Sequence, residues 1–367
     1  MTTRRAFLAG AAGAGLAAAG GLHPAAAAPA PAGGPAGTRA SCAAEPSPYV
    51  HAFYYSWYGN PDHYGSWVHW QQGGHTPPDD IGADFYPVLG AYDSGDYDGA
   101  VAQHMTWARE AGIGVLAYSW WGRGGYEDRL AAGVLDAAAA EGIQIAWHIE
   151  PYSGRDGASV VADVAYLEEN YGDHPAYHRA PDQGGRCAYY IFNSLNVTDW
   201  APIGAIRDTA LVMAQTTDVS RVAHFGGIYT YDAIAGANNP DWAGVAAWCR
   251  QNDYVWAPSI GPGYLDDRAV PGNTSPTVDR ADGEVYDRSW GYVLDPAKGG
   301  PADWVTLTSF NEWHEGSQLE PAASDPPQSV YVTYDGAYGR TGAAAETAYL
   351  ERTRHWVTEF EAASGRG

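Results

Sequence analysis

The sequence predicts an α/β chain folded as a single (β/α)8 barrel over residues 48–367. Three observations predict it. Eight short runs rich in Val, Ile, Tyr and Trp follow residue 48, and longer amphipathic or polar stretches separate them. The runs are apolar almost throughout, as in parallel strands buried on both faces. No GxGxxG or Walker sequence follows the first run, which counts against the runner-up, an open doubly wound sheet. The expected strands are Tyr49–Trp57, Gly114–Trp120, Gln144–Ile149, Ala188–Phe192, Leu211–Gln215, Gly227–Tyr231, Tyr254–Ser259 and Trp304–Ser309.

Helices are expected between them. Tyr97–Ala111 has an acidic start and Gly112 just past its end. Asp128–Glu141 is Ala-rich and stops at Gly142, and Ser159–Tyr171 stops at Gly172. Pro240–Gln251 opens with a first-turn proline, and a last helix covers Ala343–Ala363. Pro262–Asp282 reads as a long loop, and loops of that length tend to carry function.

Composition narrows the function classes. Of 367 residues, 46% are apolar and only 17% charged, so the chain is not of the disordered type. The net charge of −23 leaves few cations for a phosphate-binding face, which argues against nucleic acid and anionic membrane surfaces. An aromatic share of 13% suggests a large core, an aromatic cleft, or both.

Arg4-Arg5 precedes a run of Ala, Gly and Leu, so residues 1–28 read as a twin-arginine-type signal with a small-residue cleavage site at Ala25–Ala28. As a membrane anchor this stretch is short and weakly apolar. Its removal takes two arginines and no acid, leaving a charge of −25. Residues 29–47 form a Pro/Ala/Gly linker without periodicity. Of the three cysteines, Cys42 lies in the linker. Cys187 and Cys249 could pair, but twin-arginine substrates fold in a reducing compartment, so buried free thiols are the simpler expectation.

In a parallel barrel the C-terminal ends of all strands converge on one mouth. Here those ends read Ser56-Trp57-Tyr58, Ser119-Trp120-Trp121, Trp147-His148-Ile149-Glu150-Pro151-Tyr152, Tyr229-Thr230-Tyr231, Gly261-Pro262-Gly263-Tyr264 and Ser309 through Gly316. Such a mouth suits a sugar, since aromatic faces cover C–H surfaces while carboxylates and amides bond hydroxyls.

The sharpest chemical signal is Glu312 and Glu315. Glycosidic cleavage commonly needs one carboxylic acid to protonate the leaving oxygen and a second carboxylate for the other half of the work. A spacing of three puts both on one side only if the chain turns there as a helix or tight loop. Otherwise the two are an ordinary surface acidic pair. Glu150 is a candidate ligand contact, against a role as ion pair or helix cap. His51, His69, His148 and His314 could meet at the mouth, but the HExxH spacing of a metal site does not occur, and Asp79-Asp80 reads as a turn or cap. The chain also lacks a GxSxG elbow. No cofactor is expected.

At these residues the chain resembles glycoside hydrolase family 99, the endo-α-1,2-mannosidases and mannanases. The likeness rests on six blocks in order: Phe53 to Pro61; Pro77 to Gly82 leading to Phe85-Tyr86-Pro87; His148 to Tyr152; Gly227 to Tyr231; Ser259 to Tyr264; and Ser309 to Gly316. The resemblance implies a metal-independent (β/α)8 barrel that cleaves inside α-mannosides with retention. It implies that Glu312 acts as general base on the sugar's own 2-hydroxyl, which forms a 1,2-anhydro sugar. Glu315 would be the general acid and then the base that activates water. It places Tyr58, His69, Trp70, Trp121, His148, Glu150, Tyr152, Tyr231, Tyr264, Asn311 and Trp313 in the substrate cleft. Trp121 stands where animal members tend to carry Tyr and mannan-active bacterial members Trp. The segment after it is short and Gly-rich, unlike the longer loop of animal members. Both features favour α-mannan or a mannose-rich oligosaccharide over glucosylated N-glycan arms. The expected protein is an exported monomer. A hydrolase of α-glucan, or a non-catalytic carbohydrate-binding barrel, would be the alternatives.

Overall fold

The structure, a computed structural model, describes residues 45–231 and 242–366. The signal, Cys42, nearly all of the linker and the expected helix start at Pro240 lie outside those residues.

Nine parallel strands form one sheet: β1 (Ser47–Tyr54), β2 (Ile113–Trp120), β3 (Gln144–Ile149), β4 (Cys187–Ile191), β5 (Ala210–Gln215), β6 (Gly227–Tyr229), β7 (Val255–Ala257), β8 (Ser259–Ile260) and β9 (Val305–Leu307). The order is β7-β6-β5-β4-β3-β2-β1-β9-β8. Since β7 and β8 are separated by Pro258 alone, the two ends of this order are one stave of the barrel, and the sheet closes as a (β/α)8 barrel. Proline has no N–H to give the ladder, yet the Pro258 carbonyl still accepts from the Thr306 N–H at 3.1 Å. The seventh expected strand is thus two short pieces.

The helices are α1 (Ala100–Ala111), α2 (Tyr126–Ala140), α3 (Gly157–Tyr171), α4 (Trp242–Asn252), α5 (Glu284–Leu294), α6 (Ala343–Glu346) and α7 (Ala348–Ala363). Helix α1 starts three residues later than expected, because the Asp96 carboxylate accepts from the Gly99 and Ala100 N–H groups and makes a turn of the preceding segment. Helix α3 starts two residues early, capped reciprocally by Asp156 and Ser159. The last expected helix breaks at Thr347 into two. Helix α5 has no counterpart among the expected helices; Gly291 and its aromatic residues blur the helical pattern. Pro262–Asp282 is irregular but held, pairing Tyr264 with Val278 and fastening Arg268 to the Asp80 carboxylate and to the Ala83 and Ile81 carbonyls.

Alternation along β1 sorts its side chains. Val50, Ala52 and Tyr54 face outward, where the Tyr54 hydroxyl meets His104 of α1 at 3.0 Å. His51 and Phe53 point into the barrel, which is filled by rings rather than branched aliphatics. His51 stacks on Trp304 and meets His178 and Tyr190, and Phe53 above it meets His148, Tyr190, Tyr229 and Tyr231. His51 lies near the start of β1, close to the Pro48 carbonyl at 3.2 Å, so it is not at the mouth with the other histidines. Cys187 and Cys249 are buried free thiols. No helix among the described residues is long and apolar enough to cross a membrane.

Burial pushes the imidazoles down: His51 to about 3, His314 to about 3 (with His69 adding), His69 to about 4, and His178 well below the ordinary value. These rings take up protons on unfolding, so their contribution to stability is lost as pH falls from 6.5 toward 4. Glu127, raised to about 7, and Asp84, raised to about 6, both by burial, act oppositely, since they hold protons more tightly when folded. Asp163 and Asp303 are raised by burial too, but less, so they change little above pH 5 and the four rings leave a net loss. The thermal midpoint should drop by about 4 °C or more between pH 7 and pH 5. A midpoint that holds or rises over that interval would contradict the neutral buried rings.

Candidate active site

The chain after β9 doubles back on itself. Ser309 N–H donates to the Ser317 carbonyl at 2.8 Å, Leu319 N–H to Ser309 at 2.9 Å, and Glu320 N–H to Phe310 at 2.8 Å. Between these bonds residues 311–316 form a closed turn. Trp313–Glu315 is a single 3-10 turn, with the Glu315 N–H bonded to the Glu312 carbonyl at 3.3 Å. Glu312, at φ −81 and ψ 83, leads into this turn and Glu315 is its last residue, so the two stand at either end of one short turn. Gly316 ends the turn in the left-handed region at φ 56, and a Cβ there would sit 2.5 Å from the Leu265 carbonyl.

Polar contacts hold each glutamate. The Glu312 N–H donates to Ser309 Oγ at 2.7 Å, and its carboxylate lies 3.9 Å from His314 Nδ1. That ring is neutral near pH 7, its pKa pushed to about 3, so the contact is not an ion pair. Glu312 has 2% of its side chain exposed, while Glu315 is partly open. The Tyr231 hydroxyl donates to Glu315 Oε2 at 3.2 Å. Tyr55 supplies the hydroxyl 2.5 Å from that of Tyr231, so the proton order runs Tyr55 to Tyr231 to Glu315. Tyr231 sits at φ 62, its N–H on Ser259 Oγ and its carbonyl taking the Thr308 hydroxyl, so that a strained backbone aims the ring.

The other wall comes from β2, β3 and the first loop. Glu150, fully buried, accepts from Ser119 Oγ at 2.7 Å and lies 3.2 Å from His148 Nδ1. His148 stacks on Tyr231 at 5.6 Å between ring centres and meets the Tyr229 hydroxyl at 3.1 Å. Trp121 and Tyr152 are partly open at the ends of their strands. The Tyr152 hydroxyl is tied to Ser159 and Asp163 of α3. Tyr264 donates to Asp266 at 2.9 Å, and the adjoining Leu265 N–H reaches the Glu315 carbonyl at 2.8 Å. His69, at φ 63, stacks on Trp57 and faces His314.

Four residues expected in the cleft pack against the turn itself. Tyr58, Trp70, Asn311 and Trp313 are fully buried behind the turn. Tyr58 accepts from the Trp313 N–H at 3.1 Å and donates to the Asn311 carbonyl at 3.2 Å, and Trp70 stacks beneath Tyr58 at 4.1 Å. The Asn311 amide clasps both backbone groups of Tyr55, at 2.7 and 2.9 Å. They brace the turn; a sequence alone does not say which side of a turn a residue takes. Tyr55 and Ser119 were the contributors that sequence reasoning passed over, though inward alternation after Phe53 does point to Tyr55. Among the described residues no three His, Cys, Asp or Glu side chains are grouped to hold a metal ion.

A barrel with an aromatic mouth and two glutamates on one short turn defines a glycoside hydrolase. Residues 46–362 match the Glycosyl hydrolase family 99 description, and the chain belongs to that family. A human glycoprotein endo-alpha-1,2-mannosidase-like protein is 36% identical over 85% of this chain and 75% of its own length. The mouse glycoprotein endo-alpha-1,2-mannosidase is 34% identical with the same coverage. The solved GH99 endo-alpha-mannosidase from Bacteroides thetaiotaomicron superposes with a TM-score of 0.76 at 33% identity, over 87% of this chain and 99% of that one.

Removing one hydrogen bond to a charged carboxylate costs roughly a factor of 10 to 100. Tyr231→Phe should therefore lower kcat by about tenfold or more with little change in KM. Steady-state kinetics with an unchanged kcat would detach Tyr231 from Glu315.

Proposed function

We propose that the protein is an exported, monomeric, retaining endo-acting hydrolase of internal α-1,2-mannosidic bonds in mannan or high-mannose glycans, and that it needs no metal. The observation that carries this reading is the single 3-10 turn after β9 that Glu312 leads into and Glu315 ends. Glu312 takes the proton of the sugar's 2-hydroxyl as that oxygen attacks the anomeric carbon. Glu315 gives its proton to the departing oxygen. The product is a 1,2-anhydro sugar and a shortened glycan. Glu315 then deprotonates water, which opens the anhydro ring at the anomeric carbon, and Glu312 returns the proton to O2. Two displacements retain configuration. The axial 2-hydroxyl of mannose stands trans to an axial leaving group, so the attack gains from enforced proximity. The second carboxylate need not touch the anomeric carbon, as an ordinary retaining pair does.

Trp121, His69, Glu150, Tyr152, Tyr231 and Tyr264 would contact the sugar. His148 would hold Glu150 and Tyr231, and Tyr58, Trp70, Asn311 and Trp313 would hold the turn. An indole at position 121, followed by the short segment Gly122–Gly125, favours mannan over glucosylated N-glycan arms. Cleavage of glucosylated arms is the second reading, favoured by the vertebrate relatives, whose names state glycoprotein endo-alpha-1,2-mannosidase activity.

Glu315→Gln should cut turnover of unactivated glycans at least about 10³-fold while glycan binding persists. An unchanged rate removes the acid role. A substrate lacking the 2-hydroxyl at the cleaved residue should be inert, and brisk hydrolysis of it would overturn the anhydro route. Yeast mannan, a glucosylated oligomannose and α-glucan, each followed by new reducing ends, separate the substrate readings.

A further inference from the structure

Glu320 is fully buried and has no part in the chemistry above. Three donors converge on its carboxylate. The Tyr92 hydroxyl donates to Oε2 at 2.8 Å and the Trp313 indole N–H to the same oxygen at 2.9 Å. His104 Nε2 lies 3.1 Å from Oε1, and its other nitrogen meets the Tyr54 hydroxyl at 3.0 Å. Trp313 is one of the two residues between the glutamates, and its indole points toward Glu320 and Tyr92. Tyr92 in turn accepts from the Asn311 side-chain amide at 3.3 Å. Glu320 therefore grips both neighbours of Glu312, one directly and one through a hydroxyl.

An ionised carboxyl is an acceptor-only group with room for several donors. Glutamine in its place would keep the shape but lose the charge, and its amide N–H₂ would either face a donor or demand the other tautomer of His104. An apolar residue would leave the hydroxyl and the indole N–H unpaired in a dry interior, which is costly. A carboxylate buried with no arginine or lysine in ion-pair contact among the described residues is itself costly to keep. Its place here follows from the turn it fixes. Its negative charge also adds to burial in raising the Tyr54 and Tyr92 hydroxyls, so these phenols stay protonated and remain donors.

We propose that Glu320 is a positioning residue for the hydrolysis: it anchors the Trp313 indole from behind and so fixes the relative placement of Glu312 and Glu315. This rests on the reading of those two as the reacting pair. Glu320→Gln should lower kcat about 100-fold with KM changed less than about threefold. Trp313→Phe, which keeps a ring but loses the N–H, should lower kcat about tenfold. The double variant should be no worse than Glu320→Gln alone, because both changes break one interaction. The same non-additivity should appear in the thermal midpoint. Wild type and variants are assayed together on whichever glycan wild type cleaves. Glu320→Gln with kcat within threefold of wild type, or two substitutions that simply add, overturns the proposal. If wild type cleaves none of the glycans tested, the substrate reading fails, and the midpoint cycle alone decides for or against the anchor. Should Glu320→Gln not fold, Trp313→Phe and His104→Phe each remove one partner of the carboxylate, on opposite oxygens: coupling between them supports the anchor, and additivity overturns it.

Discussion

Everything at the mouth depends on a six-residue turn whose shape is set by what grips it. Left to itself, a single 3-10 turn has no stability to speak of. Here its base is sewn by backbone bonds between 309–310 and 317–320, and its end is held by Gly316 against Leu265. Tyr58 and Ser309 take backbone groups of Asn311, Glu312 and Trp313, and the Asn311 side chain ties the turn to the backbone of Tyr55. In a dry interior each unmade bond is expensive, so the bonds made here favour one arrangement of the turn. The placement of Glu312 and Glu315 at the two ends of the turn is a consequence of that closure.

The ring-filled barrel beneath the turn matters for electrostatics as well as packing. His51 and His178 are held neutral by burial, and the Tyr190 hydroxyl is held protonated. The floor beneath Glu150 and the Glu312–Glu315 turn is thus polarisable and hydrogen-bonded. Charge at the mouth therefore acts through a poorly screening medium, where a fixed donor such as the Tyr231 hydroxyl has more effect than it would in water.

Much of this was legible in the sequence, for physical reasons. Strands buried on both faces are apolar throughout, so Gln144–Ile149 reads true to the residue, and the other strands are displaced by only a residue or a few. Strand ends carry function in a parallel barrel, so Glu312, Glu315, Glu150, Tyr231 and Trp121 stand out. What stayed hidden is contact that depends on three dimensions. Glu320 is one acid among many in a strongly acidic chain, and nothing in its neighbours in sequence announces the indole and hydroxyl it receives from 7 and 228 residues away. Tyr58 and Trp313 look like cleft aromatics until the direction of the turn is known. Helix α5 is packed by tertiary contacts, and its propensity alone does not declare it.

The two halves of the mouth hang from different anchors. The Glu312–Glu315 turn is fixed from Glu320, Asn311 and Tyr58. The segment after Trp120 is fixed from Asp128, which accepts from the Trp120 indole at 2.8 Å, the Gly124 N–H at 2.7 Å and the Tyr166 hydroxyl at 2.9 Å. Trp121 and the glycines behind it therefore take their position from α2 and α3, not from the residues that hold the reacting pair. Interactions without shared partners are nearly independent energetically. On the proposed reading, a loop that selects among sugars could change in length or in its aromatic residue with little effect on the Glu312–Glu315 turn, the two meeting at the bond from the Tyr126 hydroxyl of α2 to the Tyr58 carbonyl.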